Sequence, residues 1–468
     1  MNKLPIIRLK TPYWVDINRL LNHIIPFIMK KVYHVLAILT VIIFFPKQSH
    51  AQFDLDGQML VRSEYRNGYQ KLMNENVDHA GFIAHRARLQ ASYKVDRLTF
   101  FMSIQDVRTW GSSSTANISD NYLSVHEAWA EVDFGEYWKL KLGRQELNYD
   151  NARFLGNLDW ALQGRSHEFA LMKYEKENAK LHFGFGFNQD GQKIQDHVYS
   201  SFNNYKAAQL IRFENKAGKL NYAFLFWNDG RQFQEIDQVT NTTNSGIRYL
   251  QTLALPTLKY TMPQTQLSGY FYYQLGKDIF DRSTSAYDIS AHITHKLMEN
   301  KEKGTKYTAT AGFELISGTP TNDQQKNKSF SPLYGTNHAF NGFMDLFYVG
   351  NHFNSVGLRD IYLRTRYNFN SGFWIQGDYH NFAANATLLR DEYSGPELDK
   401  GFGSEIDLSL GKVISESVSI QAGYSQFFAS DTFKQIQSNG ELKESQNWAY
   451  IMFVFRPNNK AKFIGVPL

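Results

Sequence analysis

The chain contains no cysteine, and only 11 of its 468 residues are proline. Without thiols it has no disulfide, no thiolate metal site and no cysteine nucleophile. The G-x-S-x-G, P-loop and H-E-x-x-H patterns are also missing, so nothing marks a nucleophile, a phosphate cradle or a zinc protease. We therefore predict that the protein is not an enzyme and uses no metal and no cofactor.

An excess of positive charge is also lacking once the first residues are set aside. The formal net charge is +5, but residues 1–51 hold seven basic residues and one acidic residue. The remainder has 43 basic and 44 acidic residues. Because the charges of residues 52–468 nearly cancel, we predict no nucleic-acid partner.

No apolar run is long enough to span a membrane as a helix. The most apolar stretch, residues 35–45, falls short of the roughly 18 residues that such a helix needs. Lys30 and Lys31 precede it, and Ser49 and Ala51 follow it as small residues three residues and one residue before a cleavage point. This order of charge, apolar stretch and small residues is the pattern of a signal peptide.

We therefore predict a leader over residues 1–51, with the true start at Met29 and cleavage after Ala51. The mature protein would begin at Gln52.

The body of the sequence is rich in two-residue alternation. In residues 180–188, Leu181, Phe183, Phe185 and Phe187 alternate with polar or small residues. Successive side chains of a strand point to opposite faces, so such a segment has one apolar and one polar face. The mean hydropathy of −0.44 argues against a helical membrane protein.

These segments run to about ten residues, the length that a tilted strand needs to cross a bilayer, whereas strands of soluble sandwiches have about 5–6 residues. We place eighteen of them: 53–66, 81–95, 97–107, 122–134, 137–147, 165–175, 179–189, 205–215, 218–228, 247–260, 264–275, 286–297, 305–316, 356–369, 372–382, 402–412, 417–428 and 447–456. We predict an all-β fold, a single closed transmembrane antiparallel β-barrel of about 18 strands over residues 52–468. It would lie among the lipids of the outer membrane of a Gram-negative cell.

The last segment is apolar on both faces, since Trp448, Tyr450 and Met452 lie on one face and Ile451 and Phe453 on the other. We predict that it closes the barrel by pairing with residues 53–66. The tail after Pro457 would then return to the periplasm.

The connections fall into two classes. Short charged turns, such as 94–97, 215–219 and 299–304, fit the periplasmic side. Longer links rich in Asn, Ser, Gly and Gln fit the cell exterior, namely 108–121, 189–204, 228–246, 317–355, 383–401 and 429–446. The longest, 317–355, is aromatic, and it either folds into the lumen, covers the mouth, or packs as an outer loop on its neighbours.

Charged residues cluster on the predicted inward faces, and arginine recurs there at two-residue spacing. An unpaired charge facing lipid is costly, so these side chains should face water and one another. They either line a path for anions or pair across the lumen and stiffen the wall. The set is Arg62, Glu64, Arg66, Arg86, Arg88, Glu127, Glu131, Arg144, Glu146, Arg153 and Arg165.

Residues 97–169 carry a resemblance to a known family. They contain RLTFFMSIQDVRTWG, then LSVHEAWAEVDF, then LGRQELNYDNARFLGNLDW, and GSEIDL and AGYSQFF follow near the C-terminus. These motifs resemble the alginate-export family of outer-membrane porins, in the form found in Bacteroidetes. The resemblance implies an 18-stranded monomeric barrel whose arginine-rich constriction passes an anionic uronate polymer. By motif, Arg144 and Arg153 would be lumen arginines, with Asp106, Arg108, Glu127 and Glu146 as their partners.

Three functions are therefore open. The first is a channel for an anionic oligosaccharide or polysaccharide, and the second is a general anion-preferring porin for small solutes. Either would work with periplasmic export or uptake partners. The third is a binding or adhesion barrel that acts through its outer loops, which a plugged lumen with long aromatic loops would favour.

Overall fold

Eighteen antiparallel strands follow one another around the structure, and each overlaps one of the predicted segments. The computed structural model describes residues 52–116, 121–199, 204–237, 239–323, 325–336, 338–347, 352, 355–391, 394–437, 440–457 and 463–465. The predicted leader lies outside the described residues. The strands are β1 (Gln52–Asn67), β2 (Ala80–Val95), β3 (Leu98–Thr109), β4 (Leu123–Phe134), β5 (Trp138–Gln145), β6 (His167–Lys176), β7 (Ala179–Phe187), β8 (Ala207–Ala217), β9 (Leu220–Ile236), β10 (Thr243–Thr261), β11 (Thr265–Lys277), β12 (Ser283–Asn300), β13 (Thr305–Ile316), β14 (Leu358–Asn368), β15 (Phe373–Ala383), β16 (Gly401–Ser415), β17 (Val418–Ala429) and β18 (Gln446–Phe455).

The first and last strands close the wall into a barrel. β1 pairs with β18 from Met59 opposite Phe455 to Asn67 opposite Asn447, and every other neighbouring pair in the wall is also antiparallel. Closure gives each strand a hydrogen-bonded partner on both sides, which the lipid environment requires. The predicted 18-stranded closed barrel and its closing strand are confirmed.

Side-chain burial follows the two-residue alternation. In β18, Trp448 and Met452 are fully buried, whereas Ile451 and Phe455 are each 41% exposed. In β7, Phe183, Phe185 and Phe187 are exposed, while His182, on the opposite face of the strand, is buried. The wall therefore presents apolar side chains outward and encloses the polar ones.

Elements outside the wall are few in the part of the chain that the structure describes. One helix, α1 (Asp431–Gln437), lies between β17 and β18. Three short strands complete the β-structure: Lys326–Asn327, which pairs with β12, and Leu389–Asp391 and Ser394–Glu397, which pair with each other. No described helix has the length and hydropathy of a membrane-spanning helix.

The connections alternate between the two ends of the barrel, but one predicted link is wrong. Residues 228–246 were expected to form a long outer loop. Instead β9 extends to Ile236 and β10 begins at Thr243, so that 237–242 is a short link. The alternation of polar and apolar side chains is less clear in these residues. The sequence therefore did not indicate that both strands extend this far.

The C-terminal tail also differs from the expectation. Residues 463–465 lie against inward-facing side chains instead of leaving the barrel. Ile464 is buried, and its backbone amide donates to Gln421 Oε1 (3.1 Å), while the Gln421 amide donates back to the Ile464 carbonyl (2.9 Å). Phe463 packs edge-on against Trp374 at 5.3 Å between ring centroids. The buried side-chain amide of Gln421 on β17 therefore gains two partners from the tail backbone.

Candidate functional site

Two long loops fold into the lumen and meet there. The first, residues 146–166, joins β5 to β6, and the second, residues 317–357, joins β13 to β14. They touch through a parallel bridge between Leu155 and Tyr334, where the Gly156 amide donates to the Tyr334 carbonyl at 2.9 Å. The second loop thus takes the first of its predicted alternatives, a place inside the barrel.

Aromatic side chains hold the second loop against the wall and against the first loop. Phe330 and Phe343 are buried, and Tyr334 packs against Trp227 of β9 at 5.6 Å. His338 stacks on Trp160 of the first loop at 3.9 Å between ring centroids. The described parts of both loops form an apolar core inside the polar wall.

Arg153 lies at the centre of this core. Its Nε is 3.1 Å from Asp288 Oδ2 and 2.8 Å from Glu314 Oε1, and its Nη2 donates to Asn341 at 3.3 Å. The Arg153 side chain is 1% exposed. Burial by itself lowers the pKa of this guanidinium, but the Glu314 and Asp288 carboxylates raise that pKa above its ordinary value. Arg153 lies inside the barrel, where it ties the first loop to β12 and β13.

Arginines of β1 form a ladder around one carboxylate. Arg62 Nε is 2.7 Å from Glu64 Oε1, and Arg66 Nη2 is 2.8 Å from Glu64 Oε2. The Trp448 indole also donates to Glu64 Oε2, at 3.1 Å. Since Glu64 is buried and both its oxygens are occupied, the ladder carries one positive charge more than it carries negative charge.

The same arginines line a cavity with aromatic walls. The Arg62 guanidinium stacks on Trp160 at 4.2 Å, and that of Arg66 on Tyr69 at 4.2 Å. The cavity, of about 240 Å³, also reaches Phe82, is bounded by the first loop and has the carboxylates of Glu64 and Asp345 in its lining. We call the cavity lined by Arg62, Arg66, Tyr69, Phe82 and Trp160 the arginine–aromatic pocket. The Arg66 side chain is 31% exposed, so its charge is the accessible one.

The arginines of β2 are held by the first loop and by β3. Arg86 is fully buried, with Nη2 at 2.6 Å from Asp159 Oδ1 and Nη1 donating to the Leu162 carbonyl at 3.1 Å. Arg88 donates to Gln105 at 2.7 Å. Partial burial raises the pKa of the Asp159 carboxyl, but the nearby guanidinium groups, Arg86 foremost, hold that pKa below its ordinary value.

The remaining predicted residues lie in separate places. Asp106 pairs with Arg108 near the end of β3, Glu131 of β4 pairs with Lys173 at 2.6 Å, and Arg165 donates to the Gly335 carbonyl at 2.9 Å. These contacts do not bring them into one constriction.

Three residues with side chains that can bind metals lie together near the start of β4 and the end of β5. Ligand atoms of His126, Glu127 and Glu146 lie within 4.8 Å of one another. However, His126 Nε2 already bonds Glu146 Oε1 at 2.9 Å, and Glu127 Oε1 accepts from the Glu146 amide at 3.0 Å. The positive charge of Arg88 also acts on both carboxylates. The group is satisfied as it stands.

Arg144 differs from the expectation that it faces the lumen. It lies opposite Ala128 of β4 and Glu168 of β6, and it shares its face of β5 with exposed Leu142. Its Nη1 is 2.6 Å from Glu168 Oε1, and both side chains are substantially exposed. Arg144 therefore belongs to the outer surface of the barrel, where a neighbouring carboxylate balances its charge.

Sequence reasoning missed an acidic wall formed by β14–β16. Its buried carboxylates are Asp360, Asp378, Glu405 and Asp407. The signal was present, because Glu405, Asp407 and Ser409 alternate with Ile406, Leu408 and Leu410. The lumen therefore has arginines on the β1–β2 side and an acidic wall on the β14–β16 side.

A second cavity lies towards the short-turn ends of β8–β12. It has a volume of about 340 Å³ and is lined by Arg212, Glu214, Lys259, Gln266 and His292, among others. Arg212 is itself paired with Asp150 at 2.8 Å and with Glu214 at 2.5 Å. This cavity carries charges of both signs.

Comparisons with known proteins agree with this architecture. The model of a family described as alginate export matches residues 52–441. Among solved structures, Pseudomonas aeruginosa OccK1 (OpdK) is similar with a TM-score of 0.54 at 13% identity, over 86% of this chain and 98% of that one. OccK3 (OpdO) of the same organism has a TM-score of 0.54 at 12% identity, over 86% of this chain and 95% of that one. No curated protein matches the chain. At these identities the solved structures show a shared fold.

Proposed function

Since the chain belongs to the alginate export family and is an outer-membrane channel, we propose that it passes anionic saccharides, with the arginine–aromatic pocket as the site that contacts them. The family resemblance inferred from residues 97–169 is confirmed by the match over 52–441. We propose in addition that the solute is a saccharide, that it carries negative charge and that this pocket binds it.

The observation that carries the proposal is the pairing of guanidinium groups with aromatic rings in one cavity. A carboxylate accepts two parallel hydrogen bonds from a guanidinium, and Arg66 is the accessible donor. Tyr69 and Trp160 supply apolar faces, on which the C–H side of a sugar ring packs with loss of hydrated surface. An acidic sugar offers both kinds of surface.

Bilayer recordings of the protein test this proposal. A hexuronic-acid oligomer should block the current, and a neutral oligosaccharide of the same length should block it far less. Arg66→Gln should weaken the block about fivefold, equivalent to about 1 kcal/mol. Glu64 keeps its contact with Arg62 in this variant, so the wall should stay intact. Arg144→Gln is the matched control, because Arg144 lies on the outer surface. Equal block of the wild type and Arg66→Gln would refute the assignment of the pocket.

Small anions are the second candidate, and the cavity size favours them. A volume of about 240 Å³ encloses a small solute and not a polymer chain, unless the loops move. A solved structure of OpdK, which is similar in fold, was determined with vanillate. A hexuronic-acid monomer should then block the current as strongly as the oligomer does at equal concentration, or should compete with the oligomer and reduce its block. Either result would show that the channel serves small anions.

The binding-barrel alternative, which a plugged lumen with aromatic outer loops would favour, receives less support from the second loop. That loop folds into the lumen, but its aromatic residues Phe330, Tyr334 and Phe343 are buried there. They offer an outside partner no surface among the described residues of that loop.

A further inference from the structure

The acidic wall contains carboxylate oxygens that the fold leaves without partners. Asp407 of β16 is fully buried, and neither of its oxygens has a hydrogen bond of normal geometry in the described structure. Glu405, two residues earlier on the same face, is also fully buried, and its Oε2 has none. A buried carboxylate without a partner is strongly unfavourable, so this pair requires compensation.

One hydroxyl group joins this pair. Ser425 of β17 lies directly opposite Asp407 in the strand pairing and is fully buried. Its hydroxyl has no hydrogen bond of normal geometry in the described structure, but it lies within reach of Asp407, and the carboxyl groups of Asp407 and Glu405 lie within reach of each other. Four oxygen atoms from three residues therefore meet between two paired strands.

The second loop fixes one end of this group. The Met344 amide donates to Glu405 Oε1 at 2.7 Å, and Gly342 lies so close that a Cβ there would be 2.6 Å from the same oxygen. Only glycine lets the loop backbone approach the carboxylate this closely, and its φ of +81° also favours glycine. The free oxygen, Oε2, remains for another ligand.

Nearby charges are already matched to other partners. Asp378, opposite Asp407 on β15, bonds with Arg364 and accepts from Gln376 at 2.8 Å. His380 is 3.0 Å from Asp360. These contacts leave Glu405 and Asp407 as two adjacent buried carboxyl groups with no cationic side chain in hydrogen-bond contact among the described residues.

We propose that Glu405 and Asp407, with the hydroxyl of Ser425, bind a hard divalent cation of the Ca²⁺ class between β16 and β17. Its charge of two balances the two carboxylates, and an all-oxygen ligand set suits Ca²⁺ and Mg²⁺ and not the metals that prefer nitrogen or sulfur. The cation would hold the second loop against the wall through Glu405. No sequence motif indicates this site, because the ligands are spaced as strand neighbours and not as a helical or Cys/His motif.

Calcium-dependent stability of the mature barrel in detergent tests the proposal. Protein stripped with a chelator should melt at a lower temperature than protein with added Ca²⁺, by about 3 °C at one hundred times the dissociation constant. Metal analysis after dialysis should find one cation per barrel. Tb³⁺ used as the probe should luminesce on excitation of tryptophan, since Trp448 is the strand partner of Ser425.

Variants separate this site from other carboxylates. Asp407→Asn should lose the response to Ca²⁺ and bind no Tb³⁺, and Asp106→Asn at the barrel rim is the control that should respond as the wild type does. Ser425→Ala removes a ligand without changing the charge, so it should fold and bind Ca²⁺ several-fold more weakly, which covers the case in which Asp407→Asn fails to assemble. A wild-type barrel with no bound metal and no response to Ca²⁺ or Mg²⁺ would overturn the proposal, since the two carboxyl groups would then share a proton. An unchanged Ca²⁺ response in both Asp407→Asn and Ser425→Ala would overturn it as well.

Discussion

Replacing Arg153 by glutamine should destabilise the barrel far more than any change at an exposed arginine. Arg153 is bonded to both Asp288 and Glu314, at 3.1 and 2.8 Å, and all three side chains are at most 4% exposed. Without the guanidinium, two carboxylates face each other in a site closed to water. Breaking a buried ion pair in this way costs about 3–5 kcal/mol.

Unfolding by denaturant in detergent measures this cost, with the shift of the gel band between folded and heated protein as the readout. Arg144→Gln is the matched control, because its pair with Glu168 is exposed, and it should cost less than about 1 kcal/mol. A triple variant, Arg153→Met with Asp288→Asn and Glu314→Gln, removes every charge of the cluster. It should be more stable than Arg153→Gln, since replacing a whole buried ion cluster is often neutral.

Two results would refute this reasoning. If Arg153→Gln and Arg144→Gln unfold at the same denaturant concentration, water reaches the cluster and the first loop is not fixed by it. If the triple variant is the least stable of the three, the ion contacts themselves stabilise the fold, and relief of unpaired charge does not explain the result.

Three further outcomes are expected. Amino-terminal sequencing of protein from outer membranes should begin at Gln52, and an intact leader would contradict the predicted cleavage. Deleting 447–468 removes β18 and should abolish assembly, whereas deleting only 458–468 should preserve the barrel and raise its conductance, because the tail leaves the lumen. The carboxylate of Asp159 should stabilise the first loop at neutral pH and lose that effect as the pH falls below about 4, because its folded pKa lies below the unfolded value. Fluorescence of the adjacent Trp160 should report this change in the wild type and not in Asp159→Asn.

The wall could be predicted from the sequence because, in a strand with one face towards lipid, every second side chain must be apolar. Exposed Phe183, Phe185 and Phe187 must face lipid, and their neighbours must then face inward. The same rule, applied strictly, places Arg144 on the face of Leu140 and Leu142, which is where the structure has it. The family motif suggested the opposite, so for this residue strand periodicity was the better guide.

The contents of the lumen could not be predicted in the same way. Contacts such as Arg153 with Asp288 and Glu314 join residues more than 130 positions apart, and no local pattern encodes them. The inward loops contain aromatic residues without regular spacing, so the sequence left 317–355 with more than one interpretation. The family motif implied that Asp106 and Arg108 were partners of Arg144 and Arg153. Asp106 instead pairs with Arg108, because two-residue spacing on one strand brings their side chains together.

The joining of β1 to β18 means that the wall has no end. Every strand is hydrogen-bonded on both flanks, and the connections contribute almost nothing to that ladder. A protease that cuts one exposed turn, for instance at 301–304 between β12 and β13, breaks a covalent bond but removes no pairing between strands. The two pieces should therefore migrate together as one barrel until they are boiled. The order of the strands along the chain matters for building the ring, and much less for keeping it.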